Sequence, residues 1–170
     1  MNDDANTGDE PRRAYTNSYG DCYDERASQL AAALPKRVIH GANDGGRTFA
    51  IARVNGRVLP AVTSGGANDP LTHRAKDLLR EHGYTDRQAD FLKYHAEIKV
   101  VALMRMNPAI GDVEIAINNT PCGVEEFADF TTVCTKALDR LLPAVGSQSL
   151  TIYGSYQDNR PYTKRYGRPR

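Results

Sequence analysis

Residue types that can do chemistry are concentrated between positions 94 and 134. His95 and Glu97 stand at the start of an apolar run, Cys122 follows a proline, and Cys134 comes twelve positions later. One imidazole and two thiolates suit a zinc ion, which prefers nitrogen and sulfur ligands in tetrahedral geometry. Three protein ligands leave a fourth position for water, as in catalytic rather than structural zinc sites. The pattern therefore predicts a catalytic Zn2+ ion bound by His95, Cys122 and Cys134.

Glu97 is predicted to carry protons rather than to bind the ion. Residues i and i+2 of a helix point to different faces, so His95 and Glu97 can hardly ligate one ion together. Glu97 can still reach a water beside the metal, whose pKa zinc lowers towards neutrality, and can accept and return its proton. Taken singly, a His or Glu at a helix start is explained by capping or the helix dipole. Their combination with two cysteines favours catalysis.

The elements around these residues are predicted to bring them together. The expected order is a buried apolar helix, a short β-rich strand and a second helix, at about 95–106, 113–117 and 134–142. His95 and Cys134 then open helices, and Cys122 lies in the turn after the strand. Three ligands on adjacent elements can converge at one edge of a sheet, and helix N-termini help to keep thiolates ionised.

The remaining segments predict an α/β domain with a mixed β-sheet flanked by helices. Asn55-Gly56 is the preferred turn of a two-residue hairpin between strands at 47–54 and 57–63. Asp69-Pro70 and Thr85 have the characteristics of helix starts. Further elements are expected as a helix at 24–34 and a strand at 150–153. Strands and helices alternate without an internal repeat, which favours metal-bearing helices packed on a sheet.

Composition bounds the domain organisation. A chain of 170 residues with 40% hydrophobic residues suits one packed domain. Residues 1–20 are acidic and poor in aliphatic side chains, so we expect a disordered segment or expression remnant there, followed by a single domain over 21–170. The formal charge is only +1, but residues 160–170 carry five basic and no acidic side chains. We therefore expect a basic C-terminal tail that favours phosphate.

The other bulk features exclude two classes of protein. Three cysteines are too few for a disulfide framework, and an odd number cannot all pair within the chain. No stretch has the length of a membrane span, and the N-terminus lacks the pattern of a signal peptide, so we expect a cytoplasmic location and no membrane partner. Export would need another segment or a specialised secretion system.

Several motifs resemble a known family. His-x-Glu, then Pro-Cys and a later Cys, is similar to the zinc nucleobase-deaminase pattern, although eleven residues, not two, separate Cys122 from Cys134. The chain resembles the bacterial DddA-like deaminase toxins, interbacterial cytosine deaminases that act on DNA, over about residues 47–167. The similar stretches are Ser64-Gly65-Gly66, His95-Ala96-Glu97, Ala102-Leu103-Met104-Arg105, Ile117 to Cys122, Leu142-Pro143 and Leu150 to Gly154.

The resemblance implies a cytidine-deaminase-like fold with one zinc ion at helix N-termini. It implies hydrolysis of cytosine to uracil in DNA, single- or double-stranded, by a toxin domain delivered into the cytoplasm of a target cell. It also implies a cognate immunity protein that blocks the site. By motif position, His95, Cys122 and Cys134 would bind zinc, and Glu97 would be the general acid and base.

Substrate contacts are expected from seven residues: Ser64, Gly65, Asn118, Asn119, Phe127, Phe130 and Arg165. The two asparagines could bond the base or sugar, or could simply be turn residues. The Ser-Gly pair could let backbone approach the nucleotide, or could end a strand. The phenylalanines, in the insert between the cysteines, could stack a base or form a hydrophobic lid. The arginine, with Tyr162 and Tyr166 beside it, could track phosphates or belong to an ordinary basic tail.

Three other functions use the same residues. A deaminase of free nucleosides or RNA bases needs no basic groove for DNA. A non-catalytic, zinc-stabilised binding module needs a fourth protein ligand, and none is obvious among His40, His73 and His82. A Cys/His hydrolase would pair a cysteine with His95 but would leave the spacing of Glu97 and the second cysteine unexplained.

Overall fold

A sheet with parallel and antiparallel pairs lies at the centre of the protein, whose computed structural model describes residues 13–38, 46–125 and 129–169. In this sheet β4, β3, β6, β7 and β8 are neighbours in that order, and β5 also pairs with β3. Only β6 and β7 pair in parallel among these strands. The strands are β1 (Ala14–Thr16), β2 (Cys22–Asp24), β3 (Phe49–Val54), β4 (Arg57–Val58), β5 (Val62–Thr63), β6 (Asp112–Ile117), β7 (Ser149–Ser155) and β8 (Pro161–Gly167).

Helices and a small hairpin cover the two faces of the sheet. Successive side chains of a strand point to opposite faces. Ile115 and Ile117 accordingly join the core beneath the longer helices, while Ala116 packs with Tyr23 and Leu30 on the other side. The predicted α/β fold with a mixed sheet flanked by helices is confirmed. The helices are α1 (Ser28–Ala31), α2 (Pro70–Glu81), α3 (Asp86–Leu92), α4 (Ala96–Met106) and α5 (Cys134–Leu141).

The helix starts follow the local sequence. The Asp69 side chain accepts a hydrogen bond from the Leu71 N–H at the start of α2, and Pro70 takes the first helical position. Thr85 and Gln88 form a reciprocal capping box at the start of α3. These caps fix the starts of α2, which packs against the buried helix α4 that carries the predicted site, and of α3, which packs against α2.

The hairpin turn agrees with the sequence, but its second strand is interrupted. Asn55 and Gly56 have φ values of 50° and 78°, as the predicted two-residue turn requires. Arg53 pairs with Val58, whereas Phe49 pairs with Thr63, so the register shifts by one residue. Pro60 lies at the interruption, and because proline lacks an N–H it cannot continue the ladder. The single strand expected over 57–63 is therefore two short ones.

The N-terminal segment is more ordered than its composition suggested. Ala14–Thr16 pairs antiparallel with Cys22–Asp24. The Asn17 side chain accepts hydrogen bonds from the N–H groups of Tyr19 and Asp21, which closes the turn between the strands. The expectation of disorder over residues 1–20 is wrong from residue 13 onward, because the turn and its packing on β7 and β8 were not visible in the composition. Residues 1–12 lie outside the described residues.

The expected basic tail is an edge strand. Pro161–Gly167 pairs with β7 along the whole length of that strand. Tyr162 and Tyr166 are buried in the core, with their hydroxyl oxygens 3.1 Å apart. Because these rings are buried, they cannot stack on nucleic-acid bases. In the described ranges, no helix is both long and apolar enough to span a bilayer.

Candidate metal centre and active site

Three potential metal ligands meet at one end of the central sheet. His95 is the N-cap residue of α4, Cys122 lies beyond the end of β6, and Cys134 is the first residue of α5. The Nδ1 atom of His95 lies 3.0 Å from Cys134 Sγ and 3.7 Å from Cys122 Sγ. All three ligand atoms lie within 4.8 Å of one another. The predicted ligands are therefore close together, two of them at helix N-termini.

The insert between the cysteines leaves this cluster and returns to it. The backbone N–H of Cys134 donates to Cys122 Sγ at 3.0 Å, and that of Thr135 donates to the Cys122 carbonyl at 3.2 Å. Gly123 has φ +93°, and a Cβ there would lie 2.5 Å from Thr135 Oγ1 and 2.7 Å from Val133 Cγ2. Glycine thus lets the two ends of the insert touch. The two cysteines are neighbours in space despite eleven intervening residues.

The donor set fits a zinc ion. At zinc–sulfur and zinc–nitrogen distances of about 2.3 Å and 2.0 Å, tetrahedral ligands lie roughly 3.6 Å apart. The contact between His95 and Cys122 matches this spacing, and the one between His95 and Cys134 is shorter. Hydrogen bonds from the Cys134 thiol and from His95 lower the pKa of Cys122, while burial raises that of Cys134. Two adjacent thiols, of which Cys134 is buried and Cys122 half-buried, ionise together only beside a cation.

Glu97 lies in the first turn of α4, at a cavity of about 270 Å³ beside the cluster. Its side chain is almost fully buried, with 3% of its surface exposed. Burial raises the pKa of Glu97 to about 7, although the nearby His95 lowers it. A carboxyl group whose pKa lies near neutrality can both accept and donate a proton. The cavity thus lies between three side chains that could hold a metal ion and a carboxyl group that can exchange protons.

Comparison with known proteins agrees with this chemistry. A family model described as SCP1.201-like deaminase matches residues 26–169. The chain belongs to the SCP1.201-like deaminase family. The match spans the cavity and all three clustered residues. Membership of this family implies that the chain catalyses a hydrolytic deamination. Searches of curated proteins and of solved structures found no match.

Three of the residues expected to contact substrate line the cavity of this SCP1.201-like deaminase. They are Ser64, Gly65 and Asn119. Asn118 has a different role, because its Oδ1 accepts from the Phe49 N–H and its Nδ2 donates to the carbonyls of Lys36 and Arg47. The side chain is buried and ties three chain segments together. The expected substrate contact of Asn118 is therefore replaced by a structural one.

The other expected contacts lie elsewhere in the deaminase. Phe130 is exposed on a groove that adjoins the cavity, and Phe127 lies outside the described residues. Arg165 pairs with Thr151 in the sheet and its Nη2 lies 3.1 Å from Asp112 Oδ1. Asp112 begins β6, whereas the metal cluster follows the end of that strand. The expectation that Arg165 contacts substrate at this site is wrong, because strand pairing holds it at the opposite end of the sheet.

Sequence reasoning missed Lys99 as a functional residue. It is fully buried in α4, and its Nζ donates to the carbonyls of Thr63 and Gly65 and to Asp69 Oδ2 at 2.9, 2.6 and 2.8 Å. The Thr72 hydroxyl donates to the Gly66 carbonyl of the same loop. Lys99 thus holds the Ser64–Gly66 loop of the deaminase against the cavity. A lysine inside an otherwise apolar helical run was the available signal.

Replacing Asp69 with asparagine should destabilise the deaminase in a pH-dependent way. Partial burial raises the pKa of Asp69, but hydrogen bonds from Lys99 and the Leu71 N–H outweigh it, so the pKa lies below 3.8. A depressed carboxyl pKa stabilises the fold above the unfolded-state value and loses this effect as pH falls through the folded-state value. Asp69→Asn should cost about 1–3 kcal/mol of unfolding free energy at neutral pH.

Urea unfolding of the wild type and Asp69→Asn across acidic and neutral pH would measure this difference. It should be constant at neutral pH and shrink in acid, where protonated Asp69 behaves like asparagine. Asp77→Asn, an exposed change on the same helix, controls for net charge. An equal difference at every pH would exclude an ionised Asp69 as the partner of Lys99.

Proposed function

We propose that this deaminase hydrolyses cytosine to uracil in DNA. His95, Cys122 and Cys134 would bind one zinc ion, and Glu97 is the general acid and base. The observation that carries the proposal is the buried Glu97 carboxyl in a base-sized cavity beside the His–Cys–Cys cluster. Support for cytosine and DNA comes from the motifs that resemble the DddA-like toxins. The cavity also adjoins a second groove, which suits a substrate larger than one nucleoside.

A zinc ion held by these residues would act as a Lewis acid and would make water nucleophilic at neutral pH. Glu97 accepts a proton as the water oxygen adds to C4 of cytosine, and it delivers that proton to N3. It then carries the second water proton to the exocyclic nitrogen as the bond from C4 to that nitrogen breaks. Cytosine and water thereby become uracil and ammonia. One carboxyl group performs both transfers, which suits a pKa near neutrality.

The loop opposite Glu97 gives the nucleotide close access to backbone. Gly65 has φ +81°, and a Cβ placed there would meet no atom within 4 Å, so this side of the loop is open. The Nζ of Lys99 donates a hydrogen bond to the Gly65 carbonyl and so fixes the loop. We infer that the substrate sugar or base approaches the Ser64–Gly66 backbone and Asn119. Fixed polar groups of this kind orient a ligand in its pocket.

The alternatives leave parts of the site unexplained. A non-catalytic zinc module needs a fourth protein ligand, whereas the cluster found among the described residues contains three. Such a module also gives no reason to bury a carboxylate beside the ligands. A Cys/His hydrolase needs only one of the two thiols. Deamination of free nucleosides or of RNA bases uses every part of the catalytic site, so it is the alternative to test.

We also propose, from the same resemblance, that the domain acts as a toxin inside target cells. A cognate immunity protein would then bind over the mouth of the cavity lined by Ser64, Asn119 and Glu97. Occupying this mouth would exclude DNA without any need to remove the metal.

One substrate comparison tests the proposed function. Zinc-loaded protein would be given single-stranded DNA, double-stranded DNA, RNA, cytidine and deoxycytidine, with uracil formation and ammonia release as readouts. We expect deamination of DNA, with rates that fall as salt rises because phosphate contacts release counterions. Any deficit on double-stranded DNA measures the cost of extruding the base, about a few kcal/mol. Deamination of free nucleosides alone, or of RNA alone, would refute DNA as the substrate.

A further inference from the structure

A second concave surface adjoins the catalytic cavity. This groove has a volume of about 550 Å³, within the usual range for small-molecule sites. His95 and Cys122 line both the groove and the cavity with Glu97, so the two spaces share a wall. The groove is lined by Arg87, Gln88, Phe91, His95, Cys122, Phe130, Thr132 and Val133.

Two exposed phenylalanines line this groove from two different elements. Phe91 lies on α3 and Phe130 on the insert, with 55% and 62% of their surfaces exposed. The Phe91 ring centroid lies 5.5 Å from that of His95 in a tilted arrangement. Single exposed apolar side chains are ordinary, but two exposed aromatic rings that line one groove form an apolar patch, and such patches mark ligand- or partner-binding grooves. Here the exposure occurs beside a metal-binding residue.

Hydrogen bonds hold the two sides in position. Gln88 on α3 donates from Nε2 to Thr132 Oγ1 of the insert at 3.2 Å, which bridges the two elements. Lys136 Nζ, on α5, donates to the Phe130 carbonyl at 2.7 Å. Both walls are therefore tied to helices, so the groove is preformed. A preformed groove loses less conformational entropy when it binds a ligand.

We propose that this groove binds the nucleotide next to the target cytosine, with its base stacked on Phe91 and against Phe130. The proposal rests on the proposed function, because it assumes a polynucleotide in the cavity. Aromatic rings stack on any base, and Arg87, exposed on the groove lining, suits the phosphate that joins two nucleotides. The shared wall at His95 and Cys122 puts consecutive nucleotides in consecutive spaces. Phe91 is then a determinant of how tightly the flanking nucleotide is bound.

Oligonucleotides with one cytosine test this assignment. One series varies the flanking bases, and another replaces the flanking base on either side with an abasic sugar. We expect the abasic change on one side to lower wild-type kcat/KM by about tenfold, the size of one base–aromatic stacking contact. Phe91→Ala should lower kcat/KM for the intact oligonucleotide to the value that wild type shows on the abasic one. The abasic change should then have little further effect on this variant. Phe91→Tyr should again discriminate between the intact and the abasic oligonucleotide, because it restores the aromatic ring.

Controls separate a lost subsite from a damaged active site. Met106→Ala removes a similarly exposed side chain, 52% exposed, at the far end of α4 and should match wild type. Zinc content should be equal in all variants. Anisotropy of labelled oligonucleotides gives a binding readout that does not need turnover. The abasic penalty should appear in the wild-type dissociation constant and vanish in Phe91→Ala.

The outcomes distinguish this inference from the proposed function. If no cytosine substrate is deaminated but binding shows the Phe91-dependent penalty, the proposed chemistry fails and the groove assignment stands. If DNA is deaminated equally with and without each flanking base, the groove assignment is overturned and the chemistry stands. Phe91→Ala that retains the wild-type abasic penalty, in rate or binding, also overturns the assignment.

Discussion

Replacing Glu97 with glutamine is expected to abolish deamination while the metal centre and fold remain intact. Glutamine has nearly the same shape but cannot accept a proton and return it. General acid–base groups contribute about 10²- to 10⁴-fold to rate, and Glu97 is assigned two transfers, so the loss should reach at least the upper part of that range. The side chain is buried beside the ligands but is not one of the clustered metal-binding residues. Zinc content should therefore equal that of wild type.

Three measurements check this expectation. Activity on a cytosine oligonucleotide, zinc content by elemental analysis and thermal unfolding should be compared for wild type and Glu97→Gln. Glu114→Gln is the matched control, because Glu114 is a partly buried carboxylate that pairs with Arg53 on the sheet, away from the cavity. Substantial activity in Glu97→Gln would refute the assigned role. Loss of zinc along with activity would instead make Glu97 a determinant of metal binding.

Replacing Cys134 with alanine is expected to remove zinc binding and lower stability. The Cys134 thiol is buried at the start of α5, next to His95 and Cys122. Two remaining ligands bind zinc far more weakly, and metal that binds only the folded state adds its binding free energy to stability. In the presence of a chelator, the free energy of unfolding of the variant should be about 1 kcal/mol below that of wild type, because only packing is lost. With zinc present, that difference should grow by several kcal/mol.

The third cysteine provides the control for this experiment. Cys22 lies on β2, outside the His–Cys–Cys cluster, and it is the backbone N–H of Cys22 that donates to Ser155. Cys22→Ala should keep one zinc ion per chain and the wild-type response to chelator. Cys134→Ala that binds zinc with unchanged affinity would remove Cys134 from the ligand set.

Local patterns were sufficient to predict the chemical core. The spacing of His95 and Glu97, the caps at Asp69 and Thr85, and the Asn55-Gly56 turn depend on neighbours a few residues away. Such short-range signals are read directly from sequence. The proximity of Cys122 and Cys134 was inferred from the adjacent elements that carry them, because an eleven-residue separation fixes no distance by itself.

Most of the errors involve distant partners, whereas the interruption of the strand expected over 57–63 has a local cause in Pro60. Asn118 resembles a turn residue until its amide is seen to bond Lys36 and Phe49, more than sixty positions away. Arg165 resembled part of a basic tail, but its strand pairs with β7 and its charge meets Asp112. Lys99 was passed over because its acceptors lie on a loop more than thirty residues earlier. Tertiary contacts of this kind override local propensity and charge pattern.

The contact of Gly123 with Val133 and Thr135 closes the insert at its base, so its length is independent of the metal geometry. Lengthening a closed loop costs little, about 0.6 kcal/mol for each doubling. Insertions and deletions here can therefore accumulate during evolution without disturbing the zinc ligands or Glu97. Because Phe130 and Thr132 belong to this insert and line the groove, such changes would alter substrate preference while the reaction stays the same. Exchanging this loop between relatives, with the junctions at Gly123 and Val133, should therefore change which substrates the deaminase prefers.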